Sequence, residues 1–144
     1  MGNELTTFLA QEESSGGTNE KARTPNSDGA LGTYQITPAL YADIQKAFPE
    51  FKNVSFERAA LEEGLDRQVA SAGTKVVQRQ IAGIGIAPTP ALIATVWHQG
   101  IGNVNKAKKK ALAGDGNLSK HLGPIGQRYL QRASEALPSP QGGN

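Results

Sequence analysis

"TPALIATVWHQG", residues 89–100, is apolar on nearly every side between its opening Thr-Pro pair and its closing glycine. Threonine is a good helix cap, and proline suits the first helical position, where its missing N–H costs nothing. A helix that is apolar all round must be surrounded by other elements. This stretch therefore predicts a central buried helix. A second Thr-Pro pair, Thr37 and Pro38, opens "TPALYADIQKAF" in the same way. The fold expected around them is all-α.

Working outward, residues 4–13 read as a short amphipathic helix with Leu5, Phe8 and Leu9 on one face. A long helical pattern begins near Ser55 and runs through Leu61, Leu65, Val69, Ala72, Val76 and Ile81. Gly64 and Gly73 are the points at which it should bend or break. A lysine-rich helix is expected over about 103–113, and a last one over about 124–137 with Ile125, Tyr129 and Ala133 on one face. Residues 14–33 hold too much glycine, serine, asparagine and proline for regular structure, although a short β-hairpin fits inside 14–36. One domain over 1–137 and a flexible tail over 138–144 complete the expectation.

With 38% hydrophobic and 19% charged residues, the chain reads as globular rather than disordered. It has no cysteine, which removes disulfides and thiolate metal sites, and its two histidines, His98 and His121, are far apart. No metal or cofactor is expected. No apolar run approaches membrane-spanning length, and the opening residues lack a basic-then-hydrophobic leader. Neither a membrane nor the chain's own signal peptide enters the reading. The net charge is +2. The lysines of "NKAKKKALAG", residues 105–114, fall mostly opposite Val104, Ala107 and Ala111, as on any solvated helix face. Aromatic residues do not interleave with them, so nucleic acid is not an expected partner.

Four short elements could carry chemistry. "QEESSGG", residues 11–17, sets Glu12 and Glu13 where an apolar helix meets a glycine-rich loop. A carboxyl group half out of water there could serve as a general acid, although most glutamate pairs are plain surface. On an ideal helical wheel Glu12 rather than Glu13 continues the Leu5–Phe8–Leu9 face. "GALGTYQITP", residues 29–38, brings an amide, Gln35, beside an aromatic ring, Tyr34, a pairing suited to sugars. "VWHQGIGNV", residues 96–104, ends the buried helix with Trp97, His98 and Gln99; Tyr129 lies on the last helix. Each has an ordinary structural reading when taken alone.

Taken in order and at these separations, the elements resemble the lytic transglycosylases, whose goose-type-lysozyme-like α-helical domain cleaves peptidoglycan. The resemblance rests on Glu13-Ser14 at the end of the first helix, on "GALGTYQITP" about twenty residues later, and on "WHQGIG" followed by Tyr129. It implies Glu13 as general acid and then base. Ser14 and Ser27 would be loop hydroxyls near the sugar, Tyr34 and Gln35 substrate contacts, Trp97, His98 and Gln99 a substrate-facing turn, and Tyr129 a hydrogen-bond partner near the glutamate. Departures from the family pattern bear on these contacts. His98 stands where asparagine is usual, Tyr34 where a methionine-type residue is usual, and Ile125 where an acid is expected. Ser27 also sits one place nearer Gly29 than is common.

The activity so implied is cleavage of the bond between N-acetylmuramic acid and N-acetylglucosamine, leaving 1,6-anhydromuramic ends. Only one carboxylate is required for it. Two alternatives stay open: a hydrolytic lysozyme acting on the same bond, with Glu20 or Asp28 as second acid, and a catalytically inactive peptidoglycan-binding virion protein. The expected partners are glycan strands, together with other virion or secretion-machine proteins. The expected setting is a phage virion or delivery to the bacterial periplasm and wall.

Overall fold

The computed structural model describes residues 2–137, with side chains from Glu4 onward; the tail 138–144 lies outside the described residues. Seven α-helices form among them: α1 (Gly2–Ser14), α2 (Pro38–Ala47), α3 (Phe56–Leu61), α4 (Leu65–Gly83), α5 (Pro90–Gln99), α6 (Ile101–Ala113) and α7 (Gly123–Ala136). Single 3-10 turns occur at Glu20–Arg23, Pro49–Phe51 and Ser119–Leu122. The described residues contain no strand, and the hairpin expected within 14–36 is reduced to one antiparallel bridge between Leu31 and Ile36. The ladder does not grow outward, because Thr37 and Pro38 turn the chain into α2 directly after Ile36. The protein is mainly α.

The chain gathers into two compact units, Met1–Val76 and Val77–Asn144, and the division falls inside α4. In the first unit, the Thr37 hydroxyl oxygen accepts a hydrogen bond from the Leu40 N–H at 3.2 Å and starts α2. The Tyr41 hydroxyl donates to the Val54 carbonyl at 2.7 Å, fastening the segment after the 49–51 turn to α2. The long helix expected from Ser55 breaks into α3 and α4 at Gly64, whose φ of +85° suits glycine. Gly73 stays helical within α4.

In the second unit, Thr89 caps α5 through the Leu92 N–H at 3.2 Å, and every residue from Pro90 to Val96 is buried. The one polar side chain in that run, Thr95, donates to the Ala91 carbonyl at 2.9 Å, so its burial leaves no unmet hydrogen bond. α7 packs against α5. Gly126 permits the approach: a β carbon there would lie 2.9 Å from the Leu122 Cβ and 3.3 Å from the Gln99 side chain. α6 buries Val104, Ala107 and Ala111, the stripe opposite its lysines. One of those lysines, Lys108, is fastened instead, donating to the Ile84 carbonyl.

Candidate functional site

The expected site residues divide between the units: Glu13, Ser14, Ser27, Tyr34 and Gln35 on the first, and Trp97, His98, Gln99 and Tyr129 on the second. Within the first unit Ser14 is a hub. It is only 1% exposed. Its hydroxyl donates to the Thr33 carbonyl at 2.6 Å and accepts from the Gly17 N–H at 2.9 Å. The Glu-Ser pair at the end of α1 is thereby tied to the "GALGTYQITP" segment.

That segment is shaped by backbone demands. Gly32 has φ +86°, and a β carbon on it would lie 1.9 Å from the Ala60 carbonyl oxygen in α3. Only glycine can sit there. Its N–H donates to the Ala22 carbonyl at 2.7 Å. Gln35, at φ +51°, turns its side-chain amide inward, where Nε2 donates to the Gly32 carbonyl at 2.9 Å. A non-glycine residue held in the left-handed region marks a constrained loop. Ser27 is exposed, on a turn organised by its neighbour Asn26, whose Oδ1 accepts from the N–H groups of Asp28 and Ala30.

Glu12 and Glu13 stand at the end of α1, whose burial pattern separates them. Both are half-buried, but so is Phe8, whereas Thr6 is buried along with Leu5 and Leu9. The buried face of α1 is therefore rotated toward Thr6. Glu13 lies about two turns beyond Thr6 and one beyond Leu9, so it belongs to that face.

A cleft of about 460 Å³ opens beside this loop, lined by Gly16, Gly17, Thr33 and Tyr34 and by Arg23, Glu63, Asp66 and Arg67. Glu13 is not among its lining residues. Burial pushes the Tyr34 phenol above its ordinary pKa, Asp66 adds to the push, and Arg67 opposes it. Burial likewise lifts the Asp66 carboxyl, against the lowering effect of the Arg67 and Gly64 N–H groups and of Arg23. Asp66 is 8% exposed. The sequence does not single it out, because an acid in the first turn of a helix is ordinary. It shares its cleft with Gly16, Gly17, Thr33 and Tyr34, a neighbourhood that no local pattern records. A larger depression of about 550 Å³, beside Thr6, Phe51 and Ser71, contains none of the expected site residues.

Within the second unit, the His98 and Tyr129 rings stack with centroids 4.3 Å apart and planes 6° from parallel. Arg132 lies over the Tyr129 ring at 5.6 Å. Tyr129 is buried, His98 is exposed, and Trp97 and Gln99 are half-buried. Gln99 ends α5, and its carbonyl accepts from the Asn103 side-chain amide at 2.7 Å. His121 stands apart, its Nε2 lying 3.0 Å from Asp115 Oδ1. The Asn117 N–H, and then His121, hold the Asp115 carboxyl below its ordinary pKa.

Among the described residues no group of three or more His, Cys, Asp or Glu side chains is placed to hold a metal ion. No helix of the described chain is long and apolar enough to cross a membrane. No protein-family model matches the chain, and neither a characterised protein nor a solved structure matches it.

Proposed function

We propose that this protein is a peptidoglycan lytic transglycosylase with Glu13 as its single catalytic acid. The observation that carries the reading is the hydrogen bond of 2.6 Å from the Ser14 hydroxyl to the Thr33 carbonyl. Two signatures recognised separately in the sequence, Glu13-Ser14 and "GALGTYQITP", are joined by it in one folded unit. The carboxylate immediately before Ser14, on the buried face of α1, is the acid such a site uses.

Glu13, protonated, gives its proton to the glycosidic oxygen as the bond to C1 of the muramic acid breaks. The carboxylate so formed takes the proton from the C6 hydroxyl of the same sugar. O6 closes on C1 and gives the 1,6-anhydro end. Intramolecular attack has a large entropic advantage over a water that must be separately held. Tyr34 is the proposed sugar contact of the first unit, and Trp97, His98 and Gln99 are those of the second. Glycan strands are the substrate, and a virion or the bacterial wall is the setting.

Glu13→Gln is expected to keep the fold and lower wall lysis by a factor of about 10²–10⁴, the usual share of general acid catalysis. Glu12→Gln should retain most activity; a dead Glu12→Gln beside an active Glu13→Gln would reverse the assignment. Digestion in ¹⁸O-water reads the reaction type. Unlabelled muramic ends are expected. Label at nearly every new end would make the protein a hydrolase. Asp66 would then be the first second acid to test, because it is the buried carboxyl of the first unit's cleft whereas Glu20 and Asp28 are exposed.

A further inference from the structure

The two units differ sharply in charge. Residues 1–76 carry seven Lys and Arg against eleven Asp and Glu, a net of −4. Residues 77–144 carry eight against two, a net of +6. The modest total of +2 hides this polarity, which is the kind of asymmetry that marks a surface for an anionic partner.

Part of that charge converges on one place. A pocket of about 320 Å³ opens between α6 and the Ser119–Leu122 turn, lined by Gln99, Asn103, Lys106, Lys110 and His121 over an apolar floor of Ala107 and Leu122. Lys106 and Lys110 are four residues apart and so project from one face of α6. Asp115 occupies its neighbours, lying 3.0 Å from His121 and 3.5 Å from Lys120. Among the described residues no carboxylate pairs with Lys106 or Lys110. The two ammonium groups are the donors on offer, fitted to carboxylate oxygens, beside a His121 ring already engaged by Asp115 and an Asn103 amide that donates to the Gln99 carbonyl.

We propose that this pocket binds the carboxylates of the peptide stems carried by the glycan strand. The inference rests on the proposed function for the identity of the polymer. Gln99 ties the two together, because it ends the "WHQG" turn assigned to the sugar and also forms one wall of the pocket. A stem branching from a muramic acid held at that turn meets Lys106 and Lys110 next. The volume suits one amino-acid-sized branch and not a continuous rod such as a nucleic-acid duplex. The lysines read in the sequence as an ordinary solvated face thus acquire a specific ligand.

The test is titration of the ¹⁵N-labelled full chain with the disaccharide GlcNAc-MurNAc bearing an L-Ala-D-Glu-diaminopimelate stem, and with the same disaccharide without a stem. Neither contains the bond to be cut, so wild-type protein serves. The stem-bearing form is expected to shift the resonances of Gln99, Lys106, Lys110 and His121. Its binding should weaken about tenfold in Lys106→Ala/Lys110→Ala and fall with added salt. The double variant should melt at the wild-type temperature, since both side chains are exposed. Equal binding of the two disaccharides, or unchanged affinity in the double variant, would overturn the proposal. So would tighter binding of poly(glycerol phosphate) or duplex DNA at the same resonances. Digestion of purified sacculi separates this from the wider reading. Intact sacculi with stem binding preserved would remove the transglycosylase and leave the pocket, whereas cleavage without stem binding would remove the pocket alone.

Discussion

The segment 29–38 and the turn 97–100 are the two most recognisable stretches of this chain, and the fold uses them in opposite ways. In the first, the distinctive residues answer to the backbone. Gly32 gives way to the Ala60 carbonyl, Gln35 holds the loop through its own amide, and Thr37 caps α2. In the second, Trp97, His98 and Gln99 are exposed or half-buried at the end of a helix that Gly100 would terminate anyway. A strong motif can therefore be a folding instruction, while a weaker one leaves its side chains part-exposed at a helix end.

The largest effect expected from this contrast is at Gly32. Gly32→Ala should cost about 3 kcal/mol or more, because it adds strain at positive φ to a clash with main chain. A loss below about 1 kcal/mol in urea unfolding would mean that the loop yields readily, and the contrast would fail.

Next come Gln35→Ala and His98→Ala as a pair. Gln35→Ala should lower stability by about 1–2 kcal/mol through its lost loop hydrogen bond, whatever it does to turnover. His98→Ala forfeits a stacked ring pair, about 1 kcal/mol at most, and on the proposed function should reduce wall lysis far more than that loss of folded protein explains. Thermal melts alongside lysis rates per folded molecule distinguish the two. The contrast collapses if His98→Ala loses only stability and Gln35→Ala only activity.

The smallest effects concern one aspartate in each unit. The Asp66 carboxyl is raised in the fold, so its charged form weighs against folding above that raised value, and the penalty is relieved as pH falls through it. Asp115 is lowered, so its contribution is present above the ordinary aspartate range and is lost as pH falls through its folded value. Relative to wild type, Asp66→Asn should therefore look best at neutral pH, and its advantage should shrink toward acid. Asp115→Asn should look worst at neutral pH and recover toward acid. Urea midpoints from neutral to acid pH test both signs, and parallel curves would discard the distinction.

Both Thr-Pro helix starts, the buried helix between Pro90 and Gln99 and the inward stripe of α6 were legible because each is a local pattern. The break at Gly64 was legible as a weak point, and its left-handed backbone explains why it won over Gly73. The wheel that set Glu12 on the Leu5–Phe8–Leu9 face counted Phe8 as inward, whereas Thr6 is buried and Phe8 only half so. The cleft around Asp66 was not legible, because its walls come from residues 16–34 and 61–67; the pocket around Lys106 is local, but it depends on how the 119–122 turn folds back on α6, which no periodicity records. Charge polarity was present in the composition, but it needed the unit boundary near Val76 to become visible.

The contact between Gly32 and α3 also bears on how this sequence can vary. The obstacle at position 60 is the main-chain oxygen of Ala60, not its methyl group. A selection for second-site suppressors of Gly32→Ala should therefore recover no relieving substitution at 60, since every residue there carries the same carbonyl. Rescue has to come from elsewhere, by global stabilisation or by reversion. Drift at position 32 is thus closed to the compensating pairs through which packed side chains ordinarily exchange.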